Sequence, residues 1–397
     1  MDPIANPYQP SAGVRPPELA GRDAELAAIE VLIGRAERGF VSQSIVLTGL
    51  RGVGKTVLLN EFAGRARERG WIVAQLEGPS ELDGGRGAQG ALRAKLARGL
   101  HSSMREALGR WKRSEMLHRA AGALKSFTLS LDQSGQWTVG IDVAPAKGRA
   151  DTGHVEIDLP ELAVDLAGAA LSRGVGVLVC VDEMQQLPAS DLAALCAACH
   201  EAGQREVPFY LAGAGLPGLP AVLASAKSYA ERLFAYSRLG PLGADDAARA
   251  LHVPASAQGV TWRRAALDLV VAESGAYPFF LQTYGQHTWD AAVGPSVITI
   301  DDARVGSALA AEHLDLGFYL SRWERATPFQ RVYLRAMAVD GDEPSATGDV
   351  AARLGRRVSA LGPVRAELIG KGLIYSPSHG HVAYTVPGMA GFIARKP

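Results

Sequence analysis

The chain has 397 residues, 47% hydrophobic and 21% charged, with 41 Lys and Arg against 41 Asp and Glu. Its length implies two or three domains, and its composition excludes wholesale disorder. A formal net charge of zero excludes a protein that coats nucleic acid or anionic membrane with its whole surface, though not a local basic patch. Three cysteines, Cys180, Cys196 and Cys199, cannot build a disulfide framework. The Pro-rich start has neither a basic nor an apolar leader, and the longest apolar run is Val175 to Val181. Together these predict a cytoplasmic protein with no membrane partner.

In chain order, Gly21 to Leu26 opens a helical pattern with Leu26, Ile29 and Ile33 on one face. A short apolar strand, Ser44 to Thr48, leads into a Gly-rich turn. A helix carrying Leu58, Leu59 and Phe62 follows, then a strand over Trp71 to Leu76. This β-turn-α-β order predicts a parallel sheet covered by helices. Helices are predicted near 88–107 and 111–125, and a β-hairpin from the alternation of Phe127, Leu129 and Leu131 with Trp137, Val139, Ile141 and Val143 about Gln133-Ser134-Gly135. The hairpin reads as part of an insertion over 79–157. A helix at 159–172, a strand at 175–181, a helix at 189–203 and a strand at 207–212 complete a first unit, residues 1–239. Helices near 244–252, 261–274, 278–293 and 301–325 make an all-helical second unit, 240–325. The last unit, 326–397, starts at a capping box, Thr327-Pro328-Phe329-Gln330. It continues through helices 328–338, 346–354 and 363–371 to strands 373–376 and 382–386, the order of a winged helix.

Gly49-Leu50-Arg51-Gly52-Val53-Gly54-Lys55-Thr56 fits Gly-x4-Gly-Lys-Ser/Thr between a strand and a helix. Glycines let backbone amides curl around phosphate oxygens, and the helix N-terminus adds positive potential. Lys55 reaches the β- and γ-phosphates and Thr56 ligates Mg2+; Val57 completes the nucleotide-binding set. The strand Val177 to Val181 ends in Asp182-Glu183. In P-loop enzymes the first acid serves the metal and the second polarises the attacking water, so Asp182 takes the metal role and Glu183 the base role. ATP and Mg2+ are the implied ligands.

Cys196-Ala197-Ala198-Cys199-His200 also matches the c-type haem attachment pattern. Its Ala/Leu-rich helical setting and the absence of an export signal favour packing of both thiols, and no haem is expected. From Val350 onward, seven basic residues face Glu367 alone, a net of +6 that leaves −6 on the rest of the chain. Arg356, Arg357, Arg365 and Lys371 lie at or near the candidate recognition helix and are candidates for contact with double-stranded DNA. Docking on the first unit or on a protein partner is the alternative.

The combined set resembles the AAA+/STAND P-loop ATPases of the origin-recognition-like class, and within them a bacterial group of AAA-family ATP-binding proteins. The residues that carry the resemblance are Gly21 to Leu26, Gly49 to Thr56, Asp182-Glu183-Met184-Gln185, Gly213 to Pro217, Ser228 to Phe234 and Tyr277 to Gln282, with a fitting tail from Leu368 to Pro387. It implies a P-loop parallel sheet, a helical lid and a C-terminal winged helix. It puts Gly21 and Arg22 on the adenine side and Tyr277-Pro278 near the base or sugar, with Ala276 where the family has glycine. It makes Arg232 and Arg238 candidates for an arginine finger, acting in cis or in a homo-oligomer. The strand Tyr210-Leu211-Ala212-Gly213 lacks the polar sensor residue many such enzymes carry, which implies a slow ATP-hydrolysing switch. An ATP-dependent DNA-binding protein and a nucleotide-stabilised scaffold are the other readings.

Overall fold

The computed structural model describes residues 1–79, 91–111, 114–129 and 143–396. A helix α1 (Asp23–Ala36) leads into β1 (Ser44–Thr48), α2 (Lys55–Glu68) and β2 (Ile72–Glu77). Three helices, α3 (Ala91–Arg110), α4 (Glu115–Leu129) and α5 (Val155–Leu171), precede β3 (Val177–Asp182). Then come α6 (Ala189–Gln204), β4 (Phe209–Gly215), α7 (Leu219–Ala226), α8 (Ala230–Leu233) and β5 (Phe234–Arg238). The five strands form one sheet in the order β2-β3-β4-β1-β5, every pairing parallel.

Alternation along each strand sends side chains to two cores. Ile45 and Leu47 of β1 pack with Leu58 and Phe62 of α2 on one face. Val46 joins Val179 and Leu211 under α3 to α7 on the other. Both faces are therefore covered, and β1 and β4 are buried at every position, as a doubly covered parallel sheet requires. Because β1 lies between β4 and β5 while the next strand, β2, is at the far edge, the loop after β1 opens at a reversal of strand order. Crevices at the carboxyl ends of strands, at such reversals, are where α/β sheets take ligands.

The helical unit comprises α9 (Ala244–Ala257), α10 (Arg264–Glu273), α11 (Pro278–Ala291) and α12 (Ile300–His313), with short strands β6 (Thr261–Trp262) and β7 (Val297–Ile298) paired in parallel. A π-helical turn (Leu314–Tyr319) joins α12 to α13 (Leu320–Glu324). The N-terminal arm straps this unit: Tyr8 is buried against Trp262 and Trp289, and its hydroxyl donates to the Leu251 carbonyl at 2.5 Å. The last unit contains α14 (Pro328–Ala338), β8 (Ser345–Ala346), α15 (Thr347–Arg353), α16 (Gly362–Gly370), β9 (Ile374–Tyr375), β10 (His381–Tyr384) and α17 (Met389–Arg395). Its three strands run β8-β10-β9, and α14 carries the expected Thr327–Gln330 capping box.

Several expectations change. Phe127 and Leu129, read as strand residues, lie in α4, where Ala120, Leu124 and Phe127 fall at helical spacing and are fully buried. The rest of the expected hairpin, 130–142, lies outside the described residues, as does the start of the helix expected at 88. The helix expected over 301–325 is interrupted by the π-helical turn, and Thr261–Trp262 is strand. Strand β5, a half-exposed edge, carried no clear apolar alternation. No helix among the described residues is long and apolar enough to cross a membrane.

Candidate nucleotide site

The loop from β1 to α2 is a left-handed curl. Gly52 and Gly54 both have φ of +93°, a conformation costly to any residue with a Cβ. A Cβ on Gly49 would stand 2.5 Å from the Leu239 carbonyl oxygen, so close backbone approach requires glycine there. Lys55, the first residue of α2, is buried, and its Nζ donates to the carbonyls of Gly49 and Leu50, each at 2.9 Å. Burial pushes its pKa down, opposed by Glu183 and Asp182, while Arg51 reinforces the fall. An anion in the loop would reverse that penalty, since it favours the charged ammonium.

Across the sheet, β3 ends at Asp182. Thr56 Oγ1 donates to Asp182 Oδ2 at 2.5 Å, joining the two residues assigned to Mg2+. Glu183 adopts a left-handed backbone (φ 45°), which costs a non-glycine residue roughly 1–2 kcal/mol. Its amide donates to Asp182 Oδ1 at 2.8 Å. Gly78 presses against its carbonyl, where a Cβ would stand 2.5 Å away. The Glu183 carboxylate accepts from Gln185 Nε2 at 2.7 Å and faces Arg51 Nη2 at 3.5 Å. Gln185 in turn accepts from the Leu216 amide at 3.1 Å, bridging Glu183 to the end of β4. Sequence reading missed Gln185 as a site residue. Added Cβ atoms at Gly213 and Gly215 would meet Met184 Sδ at 2.7 Å and the Gln185 amide oxygen, so a side chain at either position would have to displace Met184 or Gln185.

A cavity of about 500 Å3 lies over this loop. Its walls are the arm, the loop from Arg51 to Val57, Glu183, and the helical unit through Leu242, Phe279 and Leu281. The arm was not expected here, yet Gly13 comes so near that a Cβ would stand 3.2 Å from Thr56 Cγ2. Arg22 lines the cavity but donates to the backbone carbonyls of Val53 (3.1 Å) and Gly240 (2.9 Å), so it staples the loop. Gly21 is not in the wall; at φ +63° it admits Asp246, whose Oδ2 would be 2.8 Å from a Cβ. Pro278 lines the cavity as expected. Tyr277 does not: its hydroxyl donates to the Arg51 carbonyl at 2.5 Å, fastening the helical unit to the loop. Arg232 and Arg238 are exposed and outside the wall.

The donors fit Mg2+. This ion needs one or two carboxylates, a hydroxyl, substrate phosphates and water rather than an all-protein cage. Thr56 and Asp182 supply that set at the mouth of the loop. No cluster of three or more His, Cys, Asp or Glu suited to a metal occurs among the described residues. Cys196 and Cys199 are buried, and burial raises their pKa values to about 11 and about 12, so both are packed thiols. His200 stacks on Tyr229 with ring centroids 4.5 Å apart.

The C-terminal unit also touches the loop. The Arg51 amide donates to the Thr385 carbonyl at 3.0 Å, and Arg51 Nη1 donates to the Gly372 carbonyl at 3.3 Å. Of the nucleic-acid candidates, Arg356 and Arg357 are exposed and Arg365 is half-buried. Lys371 differs from expectation: its Nζ donates to the Arg325 carbonyl (3.0 Å) and Gln330 Oε1 (2.8 Å) because α16 ends facing the helical unit. Arg353 and Arg395 pair with Asp340 and Asp315, which offsets part of the tail's charge.

Residues 18–211 match the family model described as an AAA ATPase domain, and residues 316–393 match a domain of unknown function (DUF8462). No curated protein matches the sequence. A Walker-type ATPase of Pyrococcus abyssi is similar in structure, with 15% identity and a TM-score of 0.59 over 95% of this chain and 96% of that one. The RuvB Holliday junction branch migration motor of Thermotoga maritima aligns at 17% identity and a TM-score of 0.46, covering 94% and 95%. The Orc1 protein of Aeropyrum pernix, solved in complex with DNA, aligns at 17% and 0.42, covering 96% and 94%. The match of residues 18–211 to an AAA ATPase domain agrees with the parallel sheet and the phosphate loop that this segment forms.

Proposed function

We propose that the protein binds ATP in the cavity, hydrolyses it slowly, and uses the nucleotide state to set how its C-terminal unit, a winged helix, sits on the core. The observation that carries this reading is the double use of Arg51. It belongs to the phosphate cradle, yet its amide and guanidinium hold Thr385 and Gly372 of the last unit, and its carbonyl holds Tyr277 of the lid. Phosphates entering the cradle therefore compete for, or reshape, the contacts that dock both other units.

In this reading Lys55 binds the β- and γ-phosphates. The adenine lies among the apolar arm and lid side chains, with Arg22 holding the loop in shape. Mg2+, held by Thr56 and Asp182, supplies charge neutralisation of the phosphates. Glu183 orients a water on the γ-phosphorus and takes its proton as the bond to the ADP oxygen breaks. The slow rate follows from Gln185 and Arg51, which engage the Glu183 carboxylate. Arg232 and Arg238, exposed on one chain, would reach a site only across a contact between copies; unchanged turnover in Arg232→Ala and Arg238→Ala proteins would remove that role.

The test is nucleotide binding together with phosphate release. Lys55→Ala should abolish ATP binding, and Glu183→Gln should bind ATP without turnover. Wild-type ATP binding with phosphate release at background would leave a scaffold instead of an enzyme. A second reading, binding of duplex DNA by the C-terminal unit, is favoured by the adjacent, exposed Arg356 and Arg357 before α16.

A further inference from the structure

We infer that Gln282 selects the base of the bound nucleotide, and that the N-terminal arm makes the choice adenine by fixing which way its amide faces. The inference rests on the nucleotide reading above and adds a residue outside both the phosphate loop and the acidic strand. Gln282 lies in the second turn of α11 and lines the cavity at only 8% exposure. Among the polar side chains of the wall, Arg22, Lys55 and Gln282 are buried. Arg22 and Lys55 spend donors on backbone carbonyls. Gln282 Nε2 has no hydrogen-bond partner among the described residues, and a buried donor of that kind calls for one. The arm gives the spacing. Its Gly13 reaches Thr56, the expected metal ligand, and Gln9, four residues earlier, reaches Gln282. Four residues of chain span at most about 14 Å, a length that the ribose and base of one nucleotide fill. Leu242 and Leu281 of the helical unit, with Pro10 and Val14 of the arm, give the same wall apolar surface for a planar ring.

A free glutamine amide chooses poorly between purines. Its oxygen and nitrogen are alike in size, so a flip turns a partner for adenine into a partner for guanine. Here the flip is blocked. The Gln9 backbone amide donates to Gln282 Oε1 at 3.2 Å, and an N–H is answered by the oxygen, never by the amide nitrogen. Gln9 is itself held by its neighbour Tyr8, which is buried against Trp262 and Trp289 and donates to the Leu251 carbonyl. The second lone pair of Oε1 and the unused Nε2 then stand side by side as acceptor and donor. Adenine matches that order, with its N6 amino group beside a ring-nitrogen acceptor. Guanine carries O6 where adenine has N6, so a fixed oxygen would face an oxygen.

The experiment is calorimetric titration with Mg2+ and the non-hydrolysable β,γ-imido analogues of ATP and GTP. Wild-type protein should prefer the adenine analogue about tenfold, which corresponds to about 1.4 kcal/mol. Gln282→Glu keeps an oxygen for the Gln9 amide but replaces the donor, and should erase that preference by weakening the adenine analogue alone. Gln282→Met keeps the length and bulk of the side chain without polar atoms, and should erase it in the same way. It also separates the effect from poor folding caused by a buried charge. Equal affinity of the wild-type protein for both analogues, or equal weakening of both in Gln282→Met, overturns the inference and leaves the nucleotide site intact. Wild-type protein that binds neither analogue overturns both.

Discussion

Gly218 offers the cleanest probe of whether the C-terminal unit and the phosphate loop are coupled. It sits before α7 with an ordinary right-handed backbone (φ −78°), so alanine brings no intrinsic strain. A Cβ there would lie 2.8 Å from the Ser376 carbonyl oxygen in the C-terminal unit, closer than such atoms tolerate. Backbone must yield by roughly half an ångström, and overpacking of this kind costs about 1–3 kcal/mol. Movement by that amount would stretch the Arg51 amide bond to Thr385, now 3.0 Å, past useful hydrogen-bonding range. Taking about 2 kcal/mol in total, the docked unit should open roughly 30-fold more often. Hydrogen–deuterium exchange reads this directly at the Arg51 amide and over residues 372–385. The control is Gly240→Ala, whose methyl meets nothing within 4 Å. Wild-type exchange at Arg51 in a folded Gly218→Ala protein would refute the coupling, because the contact would then not depend on how the unit is seated.

Two further outcomes follow from charge. Burial raises the Asp191 pKa to about 6, and its Oδ2 is buried without a partner among the described residues. The folded state therefore holds the proton more tightly than the unfolded one, so this group's contribution is full below the unfolded value and is lost as pH rises through about 6. Asp191→Asn should raise the thermal midpoint at about pH 7.5, by at most about 3 kcal/mol of stability, and leave it unchanged near pH 4; identical midpoints at the higher pH would contradict this. For the DNA reading, gel shifts with random duplex over a salt series should show Arg356→Glu/Arg357→Glu losing affinity and about two units of salt slope. Unchanged binding would remove those residues, and no wild-type shift would remove the reading.

Local chemistry made the centre of the site legible. A curl of amides around phosphate needs glycine at fixed places, so Gly52, Gly54, Lys55 and Thr56 announce themselves within eight residues, and an apolar strand ending in Asp182-Glu183 does the same. The capping box at Thr327 was readable for the same reason, since its partners are three residues apart. Weak local signals failed: Phe127 fits both a period-2 run and a helical face, and burial against α4's own neighbours decided for helix.

The sequence by itself determined the phosphate loop, its acidic strand and the alternating α/β order, because each depends on neighbours along the chain. Only the tertiary structure decided what surrounds them. It brought Gly13 of the arm to Thr56, spent Tyr277 and Arg22 on holding the loop, and turned Lys371 inward. It also set Arg322 over Phe318 in the cavity wall that it shares with Arg51, 271 residues away in the chain. Such contacts leave no periodicity or spacing to read. They arise from how three separately patterned units pack, and that packing also changes the meaning of the zero net charge, whose +6 tail is partly paired with Asp340 and Asp315.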